Sequence, residues 1–462
     1  MAASDIRGGR LAADQYASNF ADAHPPLTRV QALIEAERCY YCFDAPCTAA
    51  CPTGIDIPSF IRRIGEGNLR GAARAILEEN VFGGMCARVC PTEVLCEQAC
   101  VRHTNEDKPV EIGLLQRHAT DHLFAHPGAP LFTRSPATGK RVAVVGAGPA
   151  GLACAHRLAL LGHEVVVLDA KPKAGGLNEY GLASYKTPDD FAQKEIAWLL
   201  SIGGITIEHG RMLGRDLTLD ALCAEHDAVF LAIGLTGVNA LGLEGEQLQG
   251  VENAVDFIAR LRQATDFSAL PVGRRVLVIG GGMTAVDAAV QSRKLGAEEV
   301  TIVYRRGQAQ MSASAHEQAW AQHNGVLIRT WSALKKLHAD AGRVSGATFA
   351  TVREDGGRLI ETGETWTVAA DMVFKAIGQA LDAAPAAGIA LEGGRIRVDA
   401  HGRTSRTGVW AGGDCTLGGR DLTVEGVEHG KIAAHSIDAV LRNGAPPPTG
   451  APTCNHLRRT AA

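Results

Sequence analysis

Residues 141–153 read Arg141-Val-Ala-Val-Val-Gly146-Ala-Gly148-Pro-Ala-Gly151-Leu-Ala153. An apolar strand enters G-x-G-x-x-G and leaves into a helical pattern, Leu152 to Leu161. A second apolar strand, Glu164 to Leu168, ends on Asp169. This is a complete β-α-β unit with an acid about twenty residues past the first glycine. Gly146 makes the tight turn, Gly148 lets the backbone approach a pyrophosphate, and Gly151 lets the helix pack on the strand. Gly146, Gly148, Pro149, Ala150 and Gly151 are the candidate phosphate-side residues, at the N-terminus of the helix. Asp169 is placed to accept from ribose hydroxyls. The stretch therefore predicts a dinucleotide-binding α/β fold.

Outward from it, the unit recurs. Arg275-Val-Leu-Val-Ile-Gly280-Gly-Gly282-Met-Thr284-Ala-Val-Asp287 opens a helix to Lys294, and the strand Val300 to Tyr304 follows. Thr284 and Ala285 depart from the strict glycine pattern, but Gly280, Gly282 and Thr284 keep its context. Where the first unit ends on an acid, this one ends on Tyr304-Arg305-Arg306. Arginines suit the 2′-phosphate of NADP, and a solvated strand end is the plainer alternative. Two units imply two dinucleotides, commonly a flavin and a nicotinamide. Val229-Phe-Leu-Ala-Ile-Gly234 and Val373-Phe-Lys-Ala-Ile-Gly378 are near-repeats, each a strand ending where the chain crosses back near a cofactor. Later come Gly413-Asp414 and Leu422-Thr423, then a helix to Leu441 that contains His429. Gly413, Asp414 and Thr423 are candidate flavin-binding residues; a core or surface role is the plainer reading of His429. Lys186 is a weaker candidate for the flavin site. The order predicts nesting. A flavin domain spans 139–255 and 395–462, and a nicotinamide domain, 256–394, is inserted in it.

Upstream, the cysteines cluster. Of 12, eight precede residue 101: Cys39, Cys42, Cys47, Cys51-Pro52, and Cys86, Cys90-Pro91, Cys96, Cys100. The two Cys-Pro runs follow the logic of bacterial ferredoxins, in which the last Cys of a run ligates the other cluster. Zinc is the alternative, but zinc sites favour paired C-x2-C knuckles, and one such knuckle occurs here. The spacing predicts two 4Fe–4S clusters without specifying the pairing. Helical patterns at 28–38, 57–79 and 111–126 make residues 1–138 an all-helical iron–sulfur domain ahead of two nested Rossmann-like domains. Asp56 is a candidate cap for the second of these helices. Cys154, Cys223, Cys415 and Cys454 are scattered and read as buried or idle thiols, Cys415 being the least bland because it follows Gly413-Asp414.

Composition sets the outer bounds. The 462 residues are 46% hydrophobic and 21% charged, with a net charge of −4, which excludes a disordered chain and gives no footprint for nucleic acid or anionic membrane. No signal peptide or run of about 18 apolar residues occurs, so a cytoplasmic location is expected. No C-x-x-C follows the flavin unit, which argues against a dithiol reductase.

On these residues, together with Gly175-Gly-Leu-Asn178, the chain resembles the FAD- and iron–sulfur-containing small-subunit family. That family is shared by glutamate synthase and bacterial dihydropyrimidine dehydrogenase, and it also forms the N-terminal half of the eukaryotic dihydropyrimidine enzyme. The stretches Cys86 to Arg102 and Pro109-Val-Glu-Ile-Gly-Leu-Leu-Gln116 are similar to the dihydropyrimidine branch. The resemblance implies that Cys39, Cys42, Cys47 and Cys100 hold one cluster, and that Cys51, Cys90, Cys96 and Gln116 hold the other. Cys86 is then a non-ligand. It adds Gly176 and Leu177 to the flavin site. It implies an NAD(P)H-dependent oxidoreductase that feeds electrons through FAD and two clusters to an FMN-containing catalytic subunit, which reduces uracil or thymine in pyrimidine catabolism. Bacterial members of that branch are associated with NADH, whereas the arginine pair favours NADPH. No residue is assigned as catalytic. A glutamate synthase small subunit and a stand-alone NAD(P)H:acceptor reductase are the alternatives.

Overall fold

The computed structural model describes residues 5–443; Cys454 lies outside them. They form two compact units, one of residues 24–178, 190–236 and 381–443, the other of residues 5–23, 179–189 and 237–380.

The first unit begins with short helices. Thr28 opens Arg29–Glu37 with a reciprocal capping box to Gln31. The single helix expected over 57–79 is two, Ile57–Gly65 and Leu69–Glu79. The chain turns through Gly67 (φ +75°), and Asn68 then caps the second helix by accepting from Gly71 N–H at 2.9 Å. The expected Asp56 cap forms, on Ser59 N–H at 3.1 Å. Ile57, Phe60, Ile61 and Ile64 recur at helical spacing and are buried against Ala72, Ala73, Ile76 and Leu115 of Ile112–Ala125. This apolar core is the platform on which the cysteine loops rest.

A five-stranded parallel sheet follows in the same unit, in the order Val409–Ala411, Ala228–Leu231, Arg141–Val145, Glu164–Asp169, Ile205–His209. All five strands are short, and the three central ones are almost wholly buried because helices cover both faces. The Pro149–Leu160 helix begins three residues earlier than its periodicity suggests, since Pro is favourable at a first helical position.

His156 on that helix is buried, stacked on Trp198 at 6.2 Å and edge-on to Phe132. Burial pushes its pKa down to about 3. Below its ordinary value near 6.5 the unfolded chain binds a proton that the folded chain refuses. Stability is therefore lost as pH falls from 6.5 towards 3, by about 1.4 kcal/mol per pH unit from this residue. His156→Phe is expected to remove that part of the slope. The urea midpoint difference between variant and parent should grow between pH 6.5 and 5, and parallel pH profiles would contradict it.

The second unit repeats the architecture. Its parallel order is Val251–Asn253, Met372–Lys375, Arg275–Ile279, Glu299–Val303, Val326–Arg329. Three long antiparallel strands, Ser332–Asp340, Arg343–Asp355 and Arg358–Ala369, are inserted before Met372–Lys375. Sequence reading placed no element there. Register shifts between Leu334 and Lys336, His338 and Ala339, and Ala350 and Val352 break the alternation that would reveal these strands. Residues 5–23 were expected in the helical domain, but they pack here because Tyr16 and Phe20 are buried in this core.

Candidate functional site

In both units the G-x-G turn sits at the C-terminal end of the central strand, where neighbouring strands connect in opposite directions and a crevice opens. The near-repeats explain the turns' shape. A Cβ on Gly146 (φ +106°) would lie 2.2 Å from Ala232 O, and one on Gly280 (φ +147°) would lie 2.1 Å from Ala376 O. The strand end crossing back beside each fingerprint leaves room only for a glycine.

In the first unit Asp169 does more than wait for a ribose. Its Oδ2 accepts from Ala147 N–H at 2.6 Å and its Oδ1 from Lys171 N–H at 2.7 Å, so it also braces the glycine turn. Each oxygen retains acceptor capacity for a hydroxyl. Gly176 (φ +54°) lies against Gly148: a Cβ on it would meet Gly148 Cα at 2.7 Å, so the two backbones form a cradle with no side chain between them. Leu177 opens a short helix, and Asn178 Oδ1 accepts from Thr423 Oγ1 at 2.6 Å, joining the Gly175 loop to the start of the Thr423–Asn443 helix. Asp414 is largely buried. Burial first, and then Asp421, push its carboxyl up to about 7, against Arg395. Arg395 also donates to the Asp414 carbonyl. His429 Nδ1 accepts from Gly413 N–H at 3.1 Å, so this histidine orients the Gly413-Asp414 turn, in keeping with its plainer reading. Cys415 is buried and donates to Gly412 O at 3.3 Å, and burial pushes it up to about 11. It is an inert core thiol. The glycine cradle and the buried Asp414 fit a flavin dinucleotide.

The cysteines fall into two groups. Cys39, Cys42, Cys47 and Cys100 line one cavity with Ile57, Ile61 and Arg102. Cys51, Cys90 and Cys96 lie outside that cavity and near one another, with Cys96 also near Cys47 and Cys90 near Cys86. Burial raises Cys39 and Cys96 and pushes Cys47 up to about 12. Iron reverses that preference, because a coordinated thiol is deprotonated outright. The sulfurs are soft donors, and the cavity of Cys39, Cys42, Cys47 and Cys100 draws on both sequence runs, which fits a 4Fe–4S cluster. Gln116 is buried, and its Nε2 donates to Gly83 O at 2.7 Å, which leaves Oε1 as its remaining polar atom. Cys86 is buried and hydrogen-bonded to Cys90; that bond, and then burial, raise the Cys90 thiol. Sequence reasoning had no place for Lys431, whose ammonium donates to Thr53 O at 2.9 Å and to Glu79 at 3.0 Å, pinning the turn after Cys51-Pro52.

In the second unit Gly282 precedes the Met283–Lys294 helix, and Thr284 lies in its first turn. The ring of Tyr304 packs over Gly281, and its hydroxyl donates to Gln310 O at 2.9 Å. Arg305 and Arg306 are exposed, and among the described residues neither guanidinium has a carboxylate partner. Lys186 is not in the flavin unit. It is buried here between Asp287 at 2.9 Å and Glu317 at 2.8 Å. Burial opposes its charge, but the two carboxylates outweigh burial and raise its pKa.

Comparison with known proteins agrees with this geometry. Residues 140–432 match the family of pyridine nucleotide-disulphide oxidoreductases, and residues 16–127 match dihydropyrimidine dehydrogenase domain II, 4Fe-4S cluster. The NAD-dependent dihydropyrimidine dehydrogenase subunit PreT of Salmonella typhimurium is 36% identical over 90% of this chain and 96% of its own. The NADPH glutamate synthase small chain of Halomonas elongata is 33% identical over 91% of this chain and 93% of its own. The beta subunit of the NADP-dependent formate dehydrogenase of Moorella thermoacetica is 34% identical over 88% of this chain, which spans 61% of that subunit. Among solved structures, T. acidophilum thioredoxin reductase aligns with TM-score 0.52 at 22% identity, covering 65% of this chain and 98% of its own, and shares the fold. No helix among the described residues is long and apolar enough to cross a membrane. The chain belongs to the pyridine nucleotide-disulphide oxidoreductases, in the branch of NAD(P)H-oxidising, FAD- and 4Fe–4S-containing subunits that includes those of bacterial dihydropyrimidine dehydrogenase and glutamate synthase.

Proposed function

We propose that the chain is the electron-input subunit of a dihydropyrimidine dehydrogenase, working with an FMN-containing partner that reduces uracil or thymine to the 5,6-dihydro form. The observation that carries this reading is the near end-to-end match to subunit PreT, 96% of which is covered. When bound, FAD accepts a hydride from NAD(P)H, and the clusters carry electrons singly.

The cluster ligands are those the family resemblance implies, and the glycines' parts follow from backbone geometry. Cys39, Cys42, Cys47 and Cys100 hold one cluster, and Cys51, Cys90, Cys96 and Gln116 the other. Gly146, Gly148, Pro149, Ala150 and Gly151 present backbone to the FAD pyrophosphate, and Asp169 accepts from its ribose. Gly176, Leu177, Gly413, Asp414 and Thr423 surround the rest of that cofactor. Gly280, Gly282 and Thr284 present a helix N-terminus to the nicotinamide dinucleotide. The cluster ligands lie within residues 1–138, the flavin residues within 139–255 and 395–462, and the nicotinamide residues within 256–394. We assign the three roles to those stretches; by packing, residues 5–23, 179–189 and 237–255 join the second unit and 381–394 the first.

The test is anaerobic purification of the tagged chain from its native cell. A stoichiometric FMN-containing partner, with NAD(P)H-dependent uracil reduction by the pair and not by the chain alone, is the expected result. A very large amidotransferase partner would move the function to glutamate synthesis, and no partner would favour a stand-alone reductase. Nicotinamide choice has its own test. Replacing Arg305 and Arg306 together by alanine is expected to raise KM for NADPH about 10–100-fold, the worth of one or two charge-assisted bonds to a phosphate, and to spare NADH. Equal effects on both would retire the phosphate role.

A further inference from the structure

The Gly83–Val89 helix sits at the centre of the second cysteine group. It carries Cys86 and runs directly into Cys90, whose N–H donates to Cys86 O at 3.0 Å. Its first carbonyl, Gly83 O, accepts from Gln116 Nε2. An amide whose nitrogen is held by a carbonyl must direct its oxygen the other way. This one short helix therefore sets both the Cys90 sulfur and the direction of the Gln116 oxygen.

Nothing within the helix secures its start. Phe82, at the N-cap, supplies no side-chain acceptor. The acceptor comes from elsewhere: Glu195, fully buried on the Phe191–Leu200 helix, takes Gly84 N–H at 2.8 Å and Met85 N–H at 3.1 Å. Phe191, one turn earlier on the same helix, lies under the Arg88 guanidinium at 3.5 Å. Arg88 in turn donates to Gly84 O at 3.0 Å and to Asp121 at 2.6 Å. The start of the cluster helix is thus clamped by a carboxylate more than a hundred residues downstream of Cys90.

We propose that Glu195 is the positioning residue for the cluster of Cys51, Cys90, Cys96 and Gln116, acting through Gly84, Met85 and the Gly83 carbonyl on the Gln116 amide. This rests on the ligand assignment proposed above. The clamp holds the helix start so that Gly83 O keeps the amide nitrogen, and the amide oxygen keeps its direction. The cluster of Cys39, Cys42, Cys47 and Cys100 lies on other loops and is untouched.

The test uses the full chain, purified anaerobically with its flavin, in four forms: parent, Glu195→Ala, Glu195→Asp and Glu195→Gln. Iron content, EPR of the reduced protein and the midpoint of each cluster are read, with FAD released on denaturation, quantified per chain, as an index of folding. Glu195→Ala should remove or shift one cluster signal, with up to half of the iron lost and the other signal and the flavin retained. Glu195→Asp, one methylene short, should shift the same signal even if the alanine variant does not fold. Glu195→Gln keeps an acceptor oxygen and should restore the parent spectrum. In a Gln116→Cys background the shift caused by Glu195→Asp should shrink, since no amide remains to orient and only the hold on Cys90 is left. Parent-like signals in the alanine or aspartate variant would overturn the proposal, as would an equal disturbance of both clusters and flavin. A parent with only one cluster would instead overturn the ligand assignment itself, which keeps the two failures apart.

Discussion

Gly151→Ala is expected to strip the chain of its flavin. A Cβ at this position would lie 1.9 Å from Gly146 O and 3.2 Å from Val144 Cγ1. Neither can yield locally: Gly146 is pressed by Ala232 O, and Val144 is in the central strand. The Pro149–Leu160 helix would have to move as a body, but a Cβ on Gly430 would already lie 2.2 Å from Ala150 O, so the Thr423–Asn443 helix blocks retreat. Overpacking of this kind costs about 1–3 kcal/mol. The displaced helix start is also the one that faces the pyrophosphate, so binding suffers beyond stability. FAD released from the denatured protein and quantified per chain should fall severalfold, with a lower urea midpoint. The second unit marks the contrast, because Ala285 occupies the matching position there and is fully buried, so that helix accommodates a methyl group. Full flavin content in Gly151→Ala would show that the helix can slide.

The second large effect separates neighbours in sequence. Cys47 and Cys51 lie on one short helix and its cap, yet only Cys47 lines the cavity of Cys39, Cys42 and Cys100, and the proposed assignment gives the two to different clusters. Cys100→Ala is expected to lower iron from about eight to about four per chain and to remove the same EPR signal as Cys39→Ala. Cys51→Ala should remove the other signal. If Cys39→Ala and Cys51→Ala removed one signal and Cys100→Ala the other, the ligands would pair along the chain instead.

Much of this was legible before any coordinates. The strand–glycine–helix segments at Val142 and Val276, the acid at Asp169, the Cys-Pro runs and the cap at Asp56 are local features. Each follows from steric limits or hydrogen bonds spanning a few residues. Other features were not legible. Lys186 reads as a flavin neighbour from its place after the Gly175 loop, but its ammonium is taken by Asp287 and Glu317, about a hundred residues on. The three antiparallel strands were hidden by bulges, and Tyr16 and Phe20 gave no sign of the core they enter.

The sequence by itself determined that there are two dinucleotide turns and a sulfur-rich helical region, and which short segments build them, because spacing and side-chain size act over one or two turns of chain. Only the tertiary structure decided which cysteines share a cavity with Cys100, why Gly146 and Gly280 must lack side chains, and that Glu195 holds the start of a helix near Cys90. Those outcomes depend on buried polar groups finding partners and on backbones approaching within van der Waals reach. Neither leaves a period or a motif in the chain, because the partners come from segments that only folding brings together.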